Sequence, residues 1–295
     1  MIIGKQNVSL KAKGDPMKRK WIPGMLDIAK FTETPKPWMM RWAMDGLRRL
    51  LRFSNLPVVR KVHPWSQKSK TSMYWIPVNK TLERGTNVPL PYEVVEHFID
   101  QSSERVIMDF CGCRAAYQCK RFPADIGCLM MGPDAKRIPP EFSRPASKEE
   151  AKKHLQRAIE AGLPPLIGKA RVDNFIFGVP DNGRLLTVCF CCDCCCITGE
   201  LKRLPPEERK AMIRPLDGLE ISVDKEKCVG CGQCITHCTV NAITMDSQTA
   251  QISCARCQGC GRCVSVCGQN AIRIRLNNPD FVENTVKSIR EHVIC

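Results

Sequence analysis

The stretch from Cys228 to Cys238 reads CVGCGQCITHC, and the stretch from Cys257 to Cys267 reads CQGCGRCVSVC. Each stretch spaces its four cysteines as Cys-x2-Cys-x2-Cys-x3-Cys, and the second begins 29 residues after the first. Nine of the seventeen positions are identical between 228–244 and 257–273: four cysteines, two glycines and an Asn-Ala-Ile run. The chain therefore contains an internal repeat built around eight cysteines.

Cysteines at this spacing are typical of metal ligands, because three thiolates at every third residue can surround three corners of a cuboidal iron–sulfur cluster. The two glycines of each stretch let the backbone turn tightly around such a cluster. Four thiolates also suit a zinc ion, so a pair of zinc sites is the alternative. The tight repeat of the two stretches favours iron–sulfur binding.

The repeat resembles the bacterial-type 2[4Fe–4S] ferredoxin domain over residues 218–276. In that family the fourth cysteine of each stretch ligates the cluster of the other stretch. Thr239 and Gly268 stand where the family usually has proline, which is not a ligand, so we expect cluster binding to survive this departure. The resemblance implies two [4Fe–4S] clusters, the first held by Cys228, Cys231, Cys234 and Cys267 and the second by Cys257, Cys260, Cys263 and Cys238.

Ten further cysteines lie upstream in two groups and are candidate metal ligands. The first group follows a predicted strand over 104–110, and Arg114 and Lys120 lie close enough in sequence to offset part of the charge of a cluster. The second group places six cysteines within eight residues, where neighbouring side chains point in different directions and cannot all converge on one compact site. The two groups are Cys111, Cys113, Cys119 and Cys128, followed by Cys189, Cys191, Cys192, Cys194, Cys195 and Cys196.

Ten thiols are enough for two more four-cysteine clusters with two thiols left over, or for one cluster of an unusual, larger kind. We therefore predict one or two further iron–sulfur clusters upstream, with zinc as the alternative metal. The pattern also resembles that of large multi-cluster ferredoxin-like proteins of anaerobes. Cys254 has no counterpart in the repeat, and Cys295 has no assigned use.

The composition indicates the compartment. Twenty cysteines clustered at metal-ligand spacings, without an apolar signal segment after Met1, are typical of metal binding in a reducing compartment. No apolar run approaches the ~18–20 residues of a membrane-spanning helix. We expect a cytoplasmic protein of an anaerobic or low-oxygen host.

The positive charge is concentrated near the N-terminus. Residues 1–80 carry 17 Lys and Arg against four Asp and Glu, so +13 of the net +15 lies there. Residues 38–53 have the pattern of an amphipathic helix with two tryptophans and an arginine stripe. Such a helix can lie on the cytoplasmic face of a membrane or on a partner, or it can pack on the core of this chain. Nucleic acid is not indicated, because no recognition motif accompanies the charge.

The sequence patterns predict an α+β protein: a ferredoxin-like (βαβ)2 2[4Fe–4S] module at the C-terminus, preceded by a mixed α/β cysteine-rich domain and a basic N-terminal arm with an amphipathic helix. Residues 54–90 look irregular, Ser147 opens a capping box, and a hairpin is predicted between 175–179 and 184–188. The expected divisions are the arm 1–90 with helix 38–53, the cysteine-rich domain 91–200, a linker 201–217, the ferredoxin domain 218–276, and a terminal helix and tail 277–295.

The sequence contains no glycine-rich dinucleotide or nucleoside-triphosphate motif, and its five histidines are scattered. The favoured function is therefore electron transfer by a multi-cluster iron–sulfur protein that serves a redox partner or an enzyme complex. One alternative is a reductase in which the upstream cysteines hold an open or non-cubane cluster. Another is a ferredoxin with a structural zinc-binding docking domain.

Overall fold

The computed structural model describes residues 37–53, 56, 71–77, 82–84 and 88–295. Most of the basic arm expected from the sequence lies outside these residues. The described part is a mixed α/β structure whose central element is a seven-stranded sheet.

Twelve strands and nine α-helices are formed by the described residues. The strands are β1 (Thr71–Trp75), β2 (Leu82–Arg84), β3 (Arg105–Met108), β4 (Leu129–Met131), β5 (Ser143–Pro145), β6 (Pro165–Ala170), β7 (Leu186–Phe190), β8 (Ile213–Arg214), β9 (Leu219–Val223), β10 (Ile243–Asp246), β11 (Thr249–Ile252) and β12 (Ile272–Leu276). The α-helices are α1 (Pro37–Arg52), α2 (Glu93–Gln101), α3 (Gly112–Ala116), α4 (Lys148–Glu160), α5 (Arg171–Phe177), α6 (Pro206–Met212), α7 (Gln233–Thr236), α8 (Arg262–Ser265) and α9 (Phe281–Arg290). Short 3-10 helices occupy Ala135–Arg137 and Ile197–Arg203.

The central sheet has the strand order β5-β3-β4-β7-β6-β1-β8. Neighbouring strands are antiparallel except β1 and β8, which are parallel. Strand β1 is buried along its whole length, with Tyr74 on one face and Met73 and Trp75 on the other. The prediction that residues 54–90 are irregular is therefore wrong for β1, because a strand buried on both faces lacks the polar alternation that marks a half-exposed strand.

Both faces of the central sheet are covered. Helices α2, α4 and α9 pack on one face and contribute Phe98, Leu155 and Ile289 to the largest apolar cluster. Helix α4 begins with the predicted capping box, in which the Ser147 and Glu150 side chains each bond the other residue's amide. The second face carries α6, the 3-10 helix Ile197–Arg203 and part of α1. The apolar cluster on this second face also includes Cys191, so the cysteine-rich loops gather there.

The predicted hairpin is wrong in its first strand. Residues Arg171–Phe177 form α5, which ends at Gly178 with φ of +64°, and the Asn174 side chain donates a 2.9 Å hydrogen bond to the Pro180 carbonyl. The antiparallel neighbours of β7 are β4 and β6. The strand-forming preference of the Phe-Ile-Phe run is overridden because both edges of β7 are already paired.

The C-terminal region has the element order β9-α7-β10-β11-α8-β12. Strands β9 and β12 are antiparallel, with Ile221 opposite Ile274, and β10 and β11 form a hairpin. Strand β2 pairs with β12 in parallel. The prediction that residues 54–90 are irregular is therefore also wrong for β2. Strand β8, from the predicted linker, belongs to the central sheet. The domain limits given above stay predictions.

The predicted amphipathic helix is present as α1, and one side of it packs on this chain. The Tyr117 hydroxyl donates a 2.6 Å hydrogen bond to Asp45, and Arg48 donates a 2.6 Å hydrogen bond to the Cys195 carbonyl. Met44 and Leu47 contact the apolar cluster of the second face, whereas Trp42 is 70% exposed. The packing alternative is thus supported for one side of the helix. In the part of the chain that the structure describes, no helix has the length and apolar character to cross a membrane.

Candidate metal centres

The two cysteine stretches turn at glycines in the left-handed region of backbone space. The angle φ is +70° at Gly230, +72° at Gly232, and +74° at both Gly259 and Gly261. A Cβ added at Gly230 would lie 2.7 Å from the Gln248 carbonyl oxygen. Glycine adopts these angles without the steric cost that other residues meet. The tight turns expected from the sequence are therefore present in both stretches.

Backbone amides donate to sulfur at equivalent positions of the repeat. The Ala242 N–H donates to Cys238 Sγ and the Ala271 N–H donates to Cys267 Sγ, each over 3.2 Å. Hydrogen bonds of this kind favour the thiolate over the thiol. Because a cysteine must lose its proton to bind a metal, this backbone suits metal ligation.

The four cysteines implied for the first cluster line a single cavity: Cys228, Cys231, Cys234 and Cys267. Most of the remaining wall is apolar, including Met245 and Ile272. The cavity lies near the surface, because Cys231 is exposed and its neighbour Val229 is 62% exposed. A set of four thiols around one apolar cavity fits a [4Fe–4S] cluster.

The cysteines implied for the second cluster are more buried. Burial raises the pKa of Cys257 to about 11 and also raises the pKa of Cys263. The charge of Cys238 adds to the upward shift of the pKa at both Cys257 and Cys263, so Cys238 of the first stretch lies close to these cysteines of the second. The charge of Cys234 acts on Cys263 as well. This proximity supports the crossed ligand assignment, which stays a prediction.

Four of the ten upstream cysteines form a compact group, which we call the four-thiol site: Cys119, Cys192, Cys194 and Cys195. Their sulfur atoms all lie within 4.8 Å of one another, and the Cys119 and Cys194 sulfurs are 3.5 Å apart. Cys119 comes from the loop after α3, and the other three follow β7. The four-thiol site therefore joins the two sequence groups.

The other six upstream cysteines form a chain of contacts, which we call the six-thiol chain: Cys111, Cys113, Cys196, Cys191, Cys189 and Cys128. Each thiol is in hydrogen-bond contact with the next, and the Cys128 and Cys189 sulfurs are 3.5 Å apart. Hydrogen bonds from Cys113 and Cys191 hold the pKa of Cys196 well below its ordinary value. The structure thus divides the ten thiols into four and six.

A fully buried arginine lies beside the six-thiol chain. The Arg114 guanidinium donates hydrogen bonds to the carbonyl oxygens of Pro123 (2.8 Å), Phe190 (2.6 Å) and Ile126. Burial acts to lower the pKa of Arg114, but the negative charges of the surrounding thiolates, that of Cys111 foremost, act to raise it. The thiolates outweigh burial, and the net shift of the pKa is upward. Arg114 is therefore a fixed positive charge next to these thiolates, as the sequence predicted.

A second buried arginine joins the cysteine repeat to the upstream cysteines. Arg262, in the second stretch, donates a 3.1 Å hydrogen bond to the Cys191 carbonyl, and its guanidinium lies 4.4 Å from the Trp75 ring centroid. The Trp75 indole donates to the buried Gln258 side chain over 3.4 Å. The second stretch is thus packed against β1 and the six-thiol chain.

A carboxylate joins the first stretch to the four-thiol site. Asp193 receives two hydrogen bonds from Arg121, at 2.9 and 3.3 Å, and its other neighbour is the His237 imidazole. The sequence shows no carboxylate at a recognisable catalytic spacing from His237, because its partner is 44 residues away. One feature of the sequence could have pointed to these contacts: Asp193, His237 and Arg262 are charged or titratable residues inside the cysteine-rich stretches.

The two remaining cysteines, Cys254 and Cys295, belong to none of these sets. Cys254 is exposed, and its carbonyl accepts a 2.5 Å hydrogen bond from Lys210. Burial raises the pKa of Cys295 to about 11, and Cys295 packs against the largest apolar cluster. Neither residue belongs to the four-thiol site or the six-thiol chain.

A family model described as a 4Fe–4S binding domain matches residues 221–244 and 255–273. The two matched segments contain all eight cysteines of the repeat. Residues 221–273 are therefore a 4Fe–4S binding domain, in two segments consistent with a 2[4Fe–4S] ferredoxin domain. No curated protein and no solved structure gives a significant match to the chain. Together with the upstream cysteines, the domain supports an iron–sulfur electron-transfer protein.

Proposed function

We propose that this protein is a multi-cluster iron–sulfur electron-transfer protein that passes single electrons between a donor and a partner redox enzyme complex. The observation that carries the proposal is the direct packing of the 4Fe–4S binding domain on the six-thiol chain. This packing is made by Arg262, which reaches from the second cysteine stretch to the Cys191 carbonyl over 3.1 Å. Two metal-binding regions in contact suit a path for electrons through one chain.

When bound, [4Fe–4S] clusters supply one-electron redox chemistry whose potential depends on charge, hydrogen bonds to sulfur and exposure to solvent. The eight cysteines of the repeat would hold two such clusters. The amides of Ala242 and Ala271 donate to ligand sulfurs, and the buried charges of Arg114 and Arg262 oppose the negative charge of the thiolates. These residues would favour the reduced state of a nearby cluster, which carries more negative charge than the oxidised state.

The different exposure of the two cysteine sets of the repeat supports a direction for electron transfer through the chain. The set containing Cys231 reaches the surface, with Val229 and Cys231 exposed, while the other set has no exposed cysteine: Cys263 is buried, and Cys238, Cys257 and Cys260 are half-buried. We infer that a soluble redox partner docks at the Val229 surface. The set containing Cys263 then lies between that surface and the six-thiol chain, which Arg262 contacts at Cys191.

Helix α1 supports a second contact, with a membrane surface or with the partner complex. Its exposed side carries Trp42, Arg41 and Arg49, and Phe53 follows at 58% exposure. Exposed aromatic and basic residues together suit an anionic membrane surface at the cytoplasmic face. We propose peripheral contact through this side of α1, in addition to the packing of its other side.

Iron and acid-labile sulfide per chain, measured on anaerobically purified protein, test the proposed function. We expect about eight irons for the two cubanes and about four more for the six-thiol chain, following four irons per cubane. A Cys260→Ala variant should lose iron from the C-terminal domain and keep the upstream iron. A chain with fewer than about eight irons would contradict the assignment of two cubanes.

A reductase is the second candidate, favoured by the thiol count and by one buried carboxylate. The six-thiol chain exceeds the four ligands of a cubane, and Asp173 Oδ2 is buried without a hydrogen-bond partner. Burial raises the pKa of Asp173 to about 6, and the charge of Cys196 adds to the shift. Cyanide added to the reduced protein distinguishes the two functions. An upstream electron paramagnetic resonance (EPR) signal that changes with cyanide favours an open, substrate-binding centre, and an unchanged signal favours electron transfer alone.

A further inference from the structure

We propose that the four-thiol site, Cys119, Cys192, Cys194 and Cys195, binds one metal ion of the zinc class, separate from any iron–sulfur cluster. The upstream cysteines would then hold two different kinds of centre, one mononuclear and one polynuclear. This proposal does not rest on the electron-transfer function, because a single structural ion can be present whether or not the chain carries electrons.

The distances between sulfur atoms suit a single ion. Zinc bound by four thiolates has metal–sulfur distances of about 2.3 Å in a tetrahedron, which places the sulfurs about 3.8 Å apart. In the four-thiol site, the Cys119 and Cys194 sulfurs are 3.5 Å apart, and all four sulfurs lie within 4.8 Å of one another. The site therefore needs little rearrangement to coordinate one ion.

The rest of the chain provides an internal comparison. Across residues 37–53, 56, 71–77, 82–84 and 88–295, no other group of three or more potential ligands is as closely spaced. The two cysteine sets assigned to cubanes are spaced more widely than the four-thiol site, as expected when each thiolate binds a different iron of a cluster. The six-thiol chain is also more extended, since its contacts run from one thiol to the next. The four-thiol site thus differs in kind from the sets that suit clusters.

The backbone at the four-thiol site supports thiolates on both contributing loops. The amides of Arg121 and Phe122 donate to the Cys119 sulfur, and the Cys195 amide donates to Cys192 Sγ over 3.3 Å. Amides two and three residues after a ligand cysteine are well placed to stabilise its thiolate.

The ion would cross-link two loops of the chain and stabilise the surface that contacts a third part, helix α1. It would link the loop after α3 to the loop after β7, which the Arg121–Asp193 ion pair already joins at 2.9 Å. Through the Arg48 hydrogen bond to the Cys195 carbonyl, it would also fix the surface on which α1 packs. The role of the ion is therefore structural, in keeping with four protein ligands that leave no open coordination position.

Metal analysis of the full-length, anaerobically purified chain tests the proposal, with zinc, iron and acid-labile sulfide measured on each sample. The wild-type protein should contain about one zinc per chain, and X-ray absorption at the zinc edge should report four sulfurs at about 2.3 Å. A Cys119→Ala/Cys194→Ala variant should lose that zinc and keep its iron and sulfide. The control Cys254→Ala, an exposed cysteine outside all the sets, should keep all three.

The spectrum of the wild-type protein decides the question even if the double variant does not fold. A wild-type chain without bound zinc, or with zinc bound by fewer than four sulfurs, would overturn the proposal. So would a double variant that loses about four irons together with sulfide, because that loss is the signature of a cubane. None of these results depends on electron transfer, so the proposed function can fail or stand independently.

Discussion

Arg262 donates a 3.1 Å hydrogen bond to the carbonyl oxygen of Cys191, which joins the 4Fe–4S binding domain to the thiols on the central sheet. The arginine is 8% exposed and its guanidinium also lies over the Trp75 ring. Burial acts to lower the pKa of Arg262, but the thiolates of Cys260 and Cys191 raise it, and the net shift is upward. A permanent positive charge is therefore held between two sets of thiolates.

Replacing Arg262 should lower the reduction potential of the nearby centres. In Arg262→Met the buried positive charge is lost, so adding an electron becomes less favourable. We expect a shift of roughly 60 mV or more, which corresponds to about a tenfold change in a one-electron equilibrium. An EPR-monitored redox titration measures the shift. Arg262→Lys keeps the charge and should change the potential less, and the exposed Arg290→Met should leave it unchanged.

The crossed ligand assignment predicts unequal effects of two cysteine substitutions in the C-terminal domain. Cys238→Ala should damage the cluster assigned to Cys257, Cys260 and Cys263, because Cys238 lies close to that set. Cys254→Ala should leave both clusters spectroscopically intact, because Cys254 is exposed and outside the sets. Iron content and EPR spectra of the two variants check this. Loss of a cluster in Cys254→Ala would overturn the assignment.

The exposed side of α1 should determine binding to anionic vesicles. Trp42→Ala should release most of the protein in co-sedimentation with phosphatidylserine-containing liposomes while its iron content stays the same, because Trp42 makes few contacts with the rest of the fold. The residual binding through Arg41 and Arg49 should weaken with salt. Phe175→Ala, an exposed aromatic on another element, is the matched control. Equal recovery of all three proteins in the supernatant would eliminate membrane contact.

Stability should fall in mild acid through His154. Burial lowers the pKa of this histidine below its ordinary value, and the neutral ring donates a 2.8 Å hydrogen bond to the Gly127 carbonyl. As the pH falls below about 6.5, the unfolded chain takes up a proton that the folded chain resists, so the free energy of unfolding decreases. His154→Gln keeps a donor for Gly127 and removes this titration. The midpoint of thermal unfolding should therefore fall less between pH 7.5 and pH 5.5 in the variant than in the wild type. An identical fall in the two proteins would count against this role of His154.

Local patterns in the sequence predicted the parts of the structure that local interactions determine. The cysteine spacing within each stretch, its glycine turns and the Ser147 capping box all follow from spacings shorter than about a dozen residues. The same reasoning failed for β1 and α5, where pairing with distant strands decides the outcome. Strand β1 is buried on both faces, and the segment of α5 could not pair with β7 because both edges of β7 were already occupied.

The candidate sites show the same limit. The sequence predicts the ten upstream cysteines as candidate ligands, but their division into four and six depends on which loops meet in space. Cys119 joins the four-thiol site rather than its neighbours Cys111 and Cys113, because the loop after α3 folds back towards the residues that follow β7. The His237–Asp193 contact and the Arg262–Cys191 hydrogen bond span 44 and 71 residues. No spacing rule predicts contacts of that length.

A coulometric titration of the anaerobically purified full chain, followed by EPR, tests the central claim most directly. We expect reversible uptake of about three electrons per chain, one for each of the two C-terminal clusters and one for the six-thiol chain. The signals should broaden as neighbouring centres are reduced together, because the 4Fe–4S binding domain packs directly on the upstream thiols. A chain that carries its full iron content yet takes up no electron reversibly would contradict the account.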